Sequence, residues 1–462
     1  MTAAFAVSRG AAYGAGVRFD SSPLEYFLQY IDPDLLETRL LESLFYLHGQ
    51  PPLFNLLLGV VLKLAPGHFG AAMHAVYLSL GLMLSLAMYL VLVRVGLRRW
   101  TSAVVAALLS ATPAFVLYEN WLFYEYPVAA LLVLSALALS EFLRRGTFLS
   151  ASTFFLLLAS VIYVRSIFQI AWLLLALGLL LAVRADLRRT VLLASALPTL
   201  VVLLLIVKNV VLFGVPTTSS WFGMNLAQVV YHAIPAADRR PYVERGELSR
   251  VSLIDPFSPP AEYRPFVSSR ATGVPVLDSF VKSGGAPNMN NKILIDVSRE
   301  YFSDSLYLVR VRPRAYARAI VDGGKLYLRP TTVQGFIAQN RSEIEAYDDL
   351  FNRVVLLRTR HAFNIGWTIL AAHVLALIYG LRLTYRLLRR RVVASAAAVT
   401  LAYVWLTLAY CTVIVTFTQV VENDRIRFFL DPLVVILVAV PVRDTFHNVS
   451  LRRSRRGAGA AV

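Results

Sequence analysis

Apolar residues run almost unbroken at about 71–93, 102–118, 127–143, 148–164, 167–183, 190–213, 362–381, 392–420 and 428–442. Most of these stretches approach the roughly 20 residues a helix needs to cross about 30 Å of hydrocarbon. The pattern therefore predicts nine transmembrane helices. Clusters of arginine interrupt it at alternate boundaries only. Arg94, Arg98 and Arg99 follow the first stretch, Arg144 and Arg145 the third, and Arg184, Arg188 and Arg189 the fifth. Arg382, Arg386, Arg389, Arg390 and Arg391 follow the seventh, and Arg443, Arg452, Arg453, Arg455 and Arg456 follow the last. By the positive-inside rule these ends are cytoplasmic. The residues before about 70, the loop 118–126 and the long segment 214–361 are then extracytoplasmic.

Two segments need separate readings. Residues 53–65, LFNLLLGVVLKLA, lie between Pro51-Pro52 and Pro66-Gly67. A helix of that length reaches only about 20 Å, so the segment is expected to lie along the outer surface as an interfacial helix. The start, MTAAFAVSRGAAYGAGV, lacks the apolar length of a span and the order of a signal peptide. It reads as the outer end of a truncated first span, so further apolar residues are expected before Met1 in the native gene. The expected organisation has three parts. Residues 1–213 form a membrane domain with outer interfacial helices at about 18–70 and six spans. Residues 214–361 form an extracytoplasmic loop domain, and 362–462 form three C-terminal spans with a basic tail.

Composition supports this and removes alternatives. Hydrophobic residues make up 57% of the 462 positions and charged residues only 16%, against about 25% charged in ordinary soluble domains. The net charge of +17 is mostly accounted for by the cytoplasmic arginines, so no nucleic-acid partner is needed. The single cysteine, Cys411, excludes an intrachain disulfide and a cysteine zinc cluster. Multi-pass insertion in the cytoplasmic membrane follows, with membrane lipid as a constant partner.

Candidate chemistry gathers at the outer ends of the spans. The first outer segment carries Asp20, Glu25, Asp32, Asp34, His48 and Gln50; the second, YENWLFYEYP, carries Glu119 and Glu125. Arg165 lies in VRSIFQ, Lys208 in VKNVVLFG, and the last outer loop reads ENDRIRFFLDP with Arg425 and Arg427. Any one of these can be an interfacial residue that snorkels to water. Arg165 has no acid nearby in sequence, and a phosphate would serve as its partner. Asp32 and Asp34 spell DPD, which reads either as a helix-start cap before LLETRLLE or as the DxD of a metal-dependent sugar transferase. A divalent metal stays open on that account; no other cofactor is implied. In the long segment, stretches 292–310 and 314–328 are amphipathic and predict surface helices.

The order of these features resembles the GT-C glycosyltransferases, most closely the protein O-mannosyltransferase and aminoarabinose-transferase branch. The likeness rests on an acid soon after the first span, the His48-Gly49-Gln50-Pro51-Pro52-Leu53 stretch, an acidic short loop and the terminal ENDRIRFFLDP before the last span. It covers about 18–143 and 362–442. Asp20 is followed here by Ser21 where the family has Glu, and Gly49-Gln50 interrupts its His-Pro-Pro run. The resemblance implies an all-α polytopic membrane protein with a GT-C-like fold and a mostly helical extracytoplasmic loop domain. It also implies an enzyme that uses a polyprenyl-phosphate sugar donor and a glycan, lipid or protein acceptor. Asp20 would be the base. Arg425 and Arg427 would hold the lipid phosphate, joined by Arg165, Lys208 and Gln50, and Glu119 and His48 would bind acceptor or orient the site. A transporter or flippase of a lipid-linked saccharide is the rival reading, and a non-catalytic subunit of an envelope complex a third.

Overall fold

The computed structural model describes residues 1–359, 364–389 and 394–459. Among these, extended pairing is confined to three isolated bridges, and no sheet forms. Five helices are long and apolar enough to cross a membrane: Phe69–Arg94, Glu125–Arg145, Ala185–Phe213, Trp367–Arg389 and Ala396–Thr418. The pair Arg99–Ala111 and Pro113–Glu119, bent by 59°, makes a sixth if it is one span. The bend has a local cause. Pro113 lacks the N–H that would continue the first helix, and the Phe115 N–H donates to Thr112 Oγ1 at 3.5 Å to start the second.

The nine apolar stretches thus become five or six helices of spanning length together with shorter ones. Phe148–Val164 has 17 residues and Ile170–Val183 has 14. The second of these begins late because the chain unwinds at Arg165, which is extended at φ −133° and ψ 119°. The last stretch begins at Asp431, and its helix runs on to Gly459. Residues 362–363 and 392–393, which begin two of the predicted stretches, and Arg390 and Arg391 lie outside the described residues. The segment expected at the membrane surface is the 12-residue helix Leu53–Leu64, only about 18 Å long.

Burial sets out the bundle. Glu125–Arg145 is the most enclosed span, and it packs on Phe69–Arg94, Phe148–Val164, Ala396–Thr418 and Asp431–Gly459. Small residues along it, Ala129, Ala130, Ser135 and Ala136, allow these close approaches. By contrast, Ala185–Phe213 turns Leu193, Leu197, Leu200 and Leu204 outward, an apolar face suited to lipid. Because Glu125–Arg145 is central, its first residue begins inside the protein rather than at its surface.

The segment after Phe213 builds its own hydrophobic core from Trp221, Met224, Tyr231, Tyr263, Leu294 and Tyr301. Its helices Phe222–Ala233 and Ile293–Val311 pack together at Gly223, where a Cβ would fall on the Ser298 carbonyl oxygen. The two amphipathic stretches are the helices Ile293–Val311 and Pro313–Tyr327. Pro313–Tyr327 rests on the short helix Asn423–Phe428. This contact places the segment over the end of the bundle where Glu125, Arg165 and Arg425 meet.

Candidate active site

The loop between Glu119 and Glu125 is pinned at nearly every residue. Asp20 N–H donates to the Asn120 carbonyl at 2.8 Å, and Leu122 N–H donates to the Asp20 carbonyl at 2.9 Å, a single rung of parallel pairing. Tyr30 and Tyr77 donate their hydroxyls to the Leu122 and Phe123 carbonyls at 2.8 and 2.6 Å. On the other side of the Asp20 strand, Asn340 imitates a strand partner. Its Oδ1 accepts from Arg18 N–H at 2.9 Å and its Nδ2 donates to the Arg18 carbonyl at 2.7 Å. The Asn340 amide is therefore buried and bonded through both of its polar atoms. Asp20 itself closes an Asx turn, its Oδ1 accepting from Ser22 N–H at 2.9 Å and from Ser22 Oγ at 2.6 Å. It lines a small cavity of about 150 Å³ with Arg18, Trp121, Phe336, Gln339 and Asn340.

A larger cavity of about 430 Å³ lies beside it, lined in part by Trp221, Phe222 and Phe257 of the long segment 214–361. Its lining mixes polar side chains, among them Arg165, Arg425, Gln50, Gln169 and Glu422, with apolar ones such as Ile414, Val421 and Phe222. The two arginines reach it by different routes. Arg165 is the extended residue at the end of Phe148–Val164, and Arg425 lies in the short helix Asn423–Phe428. Glu125 Oε1 serves both, at 3.6 Å from Arg165 Nη2 and 3.2 Å from Arg425 Nε. Arg165 also donates to the Tyr124 hydroxyl, and Arg425 Nη2 pairs with Glu422 at 2.5 Å. Each guanidinium lies over an aromatic ring, Arg165 over Tyr124 at 4.5 Å and Arg425 over Phe123 at 4.6 Å. Burial alone would weaken the Arg425 charge, but Glu422 and Glu125 hold its pKa above the ordinary value. Both carboxylate oxygens of Glu125, and the Nε of each arginine, are buried without a hydrogen bond. Two cations therefore face one cavity with donor capacity in reserve.

The remaining candidates are engaged elsewhere. Glu119 is paired with Arg9 through both oxygens at 2.7 Å and accepts from the Tyr126 hydroxyl at 2.5 Å; it does not meet His48. His48 Nε2 donates to the Asn290 carbonyl at 2.9 Å, which leaves Nδ1 to accept from Ser220 Oγ at 2.7 Å. Burial brings its pKa down to about 4, so it is neutral at pH 7. Lys208 donates to the Leu47 carbonyl at 2.8 Å. Arg427 pairs with Asp431 at 3.0 Å and donates to the Arg329 carbonyl at 2.7 Å. Asp32 caps the helix Pro33–Thr38, and its two oxygens also accept from Ser283 N–H and Oγ at 2.8 and 2.6 Å. Asp34 is exposed on the first turn of that helix. Among the described residues no three His, Cys, Asp or Glu side chains gather as a metal site.

The fold thus brings Arg165, Arg425 and Gln50 to one cavity and Asp20 to its neighbour. It keeps Glu119, His48, Lys208, Arg427, Asp32 and Asp34 in other contacts. Glu125 stands out more in space than in sequence, where the one signal is an acid opening the apolar run from Tyr126. Phe336, which lines both cavities, comes from a stretch with no motif at all.

No protein-family model matches this chain, and no curated protein matches it in sequence. Among solved structures it is similar to ArnT from Cupriavidus metallidurans bound to undecaprenyl phosphate, at 13% identity and a TM-score of 0.34, over 96% of this chain and 90% of that one. It is also similar to the same protein in the apo state, at 13% identity and a TM-score of 0.29, over 92% and 84%.

Proposed function

We propose that the chain is a membrane glycosyltransferase that moves a sugar from a polyprenyl-phosphate donor onto a hydroxyl of an extracytoplasmic glycan, lipid or protein. The observation that carries this reading is the arginine pair. Arg165 and Arg425 converge on a cavity that Ile414, Val421 and Phe222 also line, which offers cations to a phosphate and apolar contacts to a lipid tail. The cytoplasmic membrane would hold the protein, with the cavity facing outward.

Transfer would be a single displacement with inversion. The acceptor oxygen bonds to the anomeric carbon as its proton passes to Asp20, and the bond from that carbon to the phosphate oxygen breaks with its electrons on the phosphate. A carboxylate suits the first task. Preorganised guanidiniums, with Gln50 as a neutral donor, suit the second, because phosphate charge grows toward the transition state. Glu119, His48, Lys208 and Arg427 would hold the walls of the site.

The test is release of polyprenyl phosphate by purified protein from a panel of polyprenyl-phosphate sugars, with envelope glycans and lipids as acceptors. Asp20→Asn should slow the chemical step by about 10²–10⁴-fold and leave undecaprenyl phosphate binding intact. Arg165→Ala and Arg425→Ala should weaken that binding and slow transfer as well. No release from any donor, with movement of the lipid-linked sugar across vesicles instead, would replace transfer by transport.

A further inference from the structure

The proposed base and the arginine pair occupy separate cavities, and an aromatic wall stands between them. Trp121 stacks with Phe123 at 4.6 Å and with Phe336 at 5.7 Å, the latter almost parallel at 6°. Phe27 closes the edge against Phe123 at 4.9 Å and Phe336 at 5.1 Å. The Arg425 guanidinium lies 4.6 Å from the Phe123 ring and 5.9 Å from Phe336. The Asp20 backbone makes an isolated parallel bridge to Trp121 itself. Among the described residues, Phe336 is the one side chain that lines both cavities.

The leaves of this wall differ in how firmly they are held. Trp121 and Phe123 are 1% exposed and Phe27 is 5% exposed, but Phe336 is 39% exposed. Its turn, Gly335–Ile337, is anchored at both ends. Gln334 donates to Asp424 on one side, and Asn340 grips Arg18 on the other. The anchors fix the backbone around the most exposed ring of the wall.

We infer that Phe336 decides whether the donor sugar goes to the acceptor or to water. This rests on the glycosyltransfer reading above. With the ring in place, water activated at Asp20 has no path to an anomeric carbon held by Arg165 and Arg425. An acceptor entering the Asp20 cavity displaces the ring and takes the place that water would fill. Phe336→Ala joins the two cavities permanently. Water then attacks the anomeric carbon, its proton passes to Asp20, and the bond to the phosphate oxygen breaks to give free sugar and polyprenyl phosphate.

The experiment measures polyprenyl phosphate released from polyprenyl-phosphate sugars with and without acceptor. In Phe336→Ala, acceptor-free release should rise at least about tenfold over the parent, because the wall no longer excludes water. Phe336→Trp, which keeps a ring in the wall, should restore the parent ratio of transfer to hydrolysis. Undecaprenyl phosphate should bind both variants as it binds the parent, which separates an open wall from a damaged fold. Parent-like acceptor-free release from Phe336→Ala, in protein that still binds undecaprenyl phosphate and transfers, overturns the inference and leaves the glycosyltransfer reading standing. A Phe336→Ala protein that no longer binds undecaprenyl phosphate makes the residue a structural one and overturns it too. A parent that neither transfers nor hydrolyses any donor removes the reading, and the inference with it.

Discussion

Glu119 and Glu125 stand at the two ends of one short loop, both fully buried and both beside arginine, yet they are wired in opposite ways. Glu119 meets Arg9 in a two-pronged pair at 2.7 Å and accepts from Tyr126, and Arg9 is finished off by the Ser110 carbonyl at 2.5 Å. The helix Phe69–Arg94 makes room with Gly81, where a Cβ would fall on Glu119 Oε2 and the Tyr126 hydroxyl. Glu125 has two arginines near it and no hydrogen bond on either oxygen. A buried pair with every lone pair used stabilises one arrangement and has nothing left for a ligand. A carboxylate shared loosely between two guanidiniums leaves donors that a phosphate can satisfy. What separates a structural ion pair from a binding one is therefore bonding capacity left over, rather than burial or charge.

The largest expected effect tests the saturated end. Glu119→Ala leaves Arg9 charged and enclosed, and breaking a buried pair in this way costs about 3–5 kcal/mol. A large fall in the melting temperature of purified protein should result, with no selective loss of undecaprenyl phosphate binding in whatever remains folded. Normal stability with lost binding would invert the comparison and move the ligand to Glu119.

Glu125→Gln probes the open end. It keeps the shape but removes the charge that competes with a phosphate for Arg165 and Arg425. Undecaprenyl phosphate should bind several-fold more tightly and raise the melting temperature more than in the parent, since Arg165 then loses its carboxylate partner and Arg425 keeps only Glu422. Turnover should fall, because the product phosphate leaves slowly. Weaker binding in this variant would show that Glu125 positions the arginines more than it opposes their ligand.

The two ends were unequally legible in the amino-acid sequence, and the reason is range. Hydropathy is a local property, so each of the nine apolar stretches falls mainly on helix among the described residues, though only five or six helices reach spanning length, and the amphipathic pair agrees within one residue. The break at Pro113 carried a signal in Thr112-Pro113, but a continuous apolar run conceals it. The ion pairs have no local signal. Arg9 meets Glu119 across 110 positions, and Glu125 takes arginines from two distant helices. In YENWLFYEYP both glutamates look alike, and Glu119 was the more attractive candidate. Only their partners in space distinguish them, Arg9 and Tyr126 for Glu119, Arg165 and Arg425 for Glu125.

Asp424 falls between the two cases. One oxygen accepts from Gln334 and from Arg425 N–H, and Oδ2 has no hydrogen bond. Burial pushes its pKa up to about 6, against Arg329 and Arg427. An acid whose folded pKa is raised in this way stabilises the fold fully below its unfolded value, about 3.8, and that stabilisation is lost as pH rises through about 6. The melting temperature of Asp424→Asn relative to the parent should therefore climb between about pH 4 and pH 6 and level off above. A flat difference across that window would mean that folding leaves the Asp424 carboxyl at its ordinary pKa.

Asp34→Asn should have the smallest effect, and it tests the comparison at the surface, where leftover capacity has no consequence. Asp34 is exposed, and its carboxylate gives the first turn of Pro33–Thr38 a favourable charge. Its neighbour Asp32 does the capping and ties the helix to Ser283. Loss of one exposed first-turn charge changes stability by about 0.5 kcal/mol or less. Water solvates any oxygen the protein leaves unused here, so free lone pairs on Asp34 carry none of the significance they have on Glu125. Transfer by Asp34→Asn should match the parent with and without a chelator present. A loss of transfer that added magnesium or manganese partly restores would give the Asp32-Pro33-Asp34 run a metal, and would place the decisive unsatisfied carboxylate on the surface helix instead of in the core.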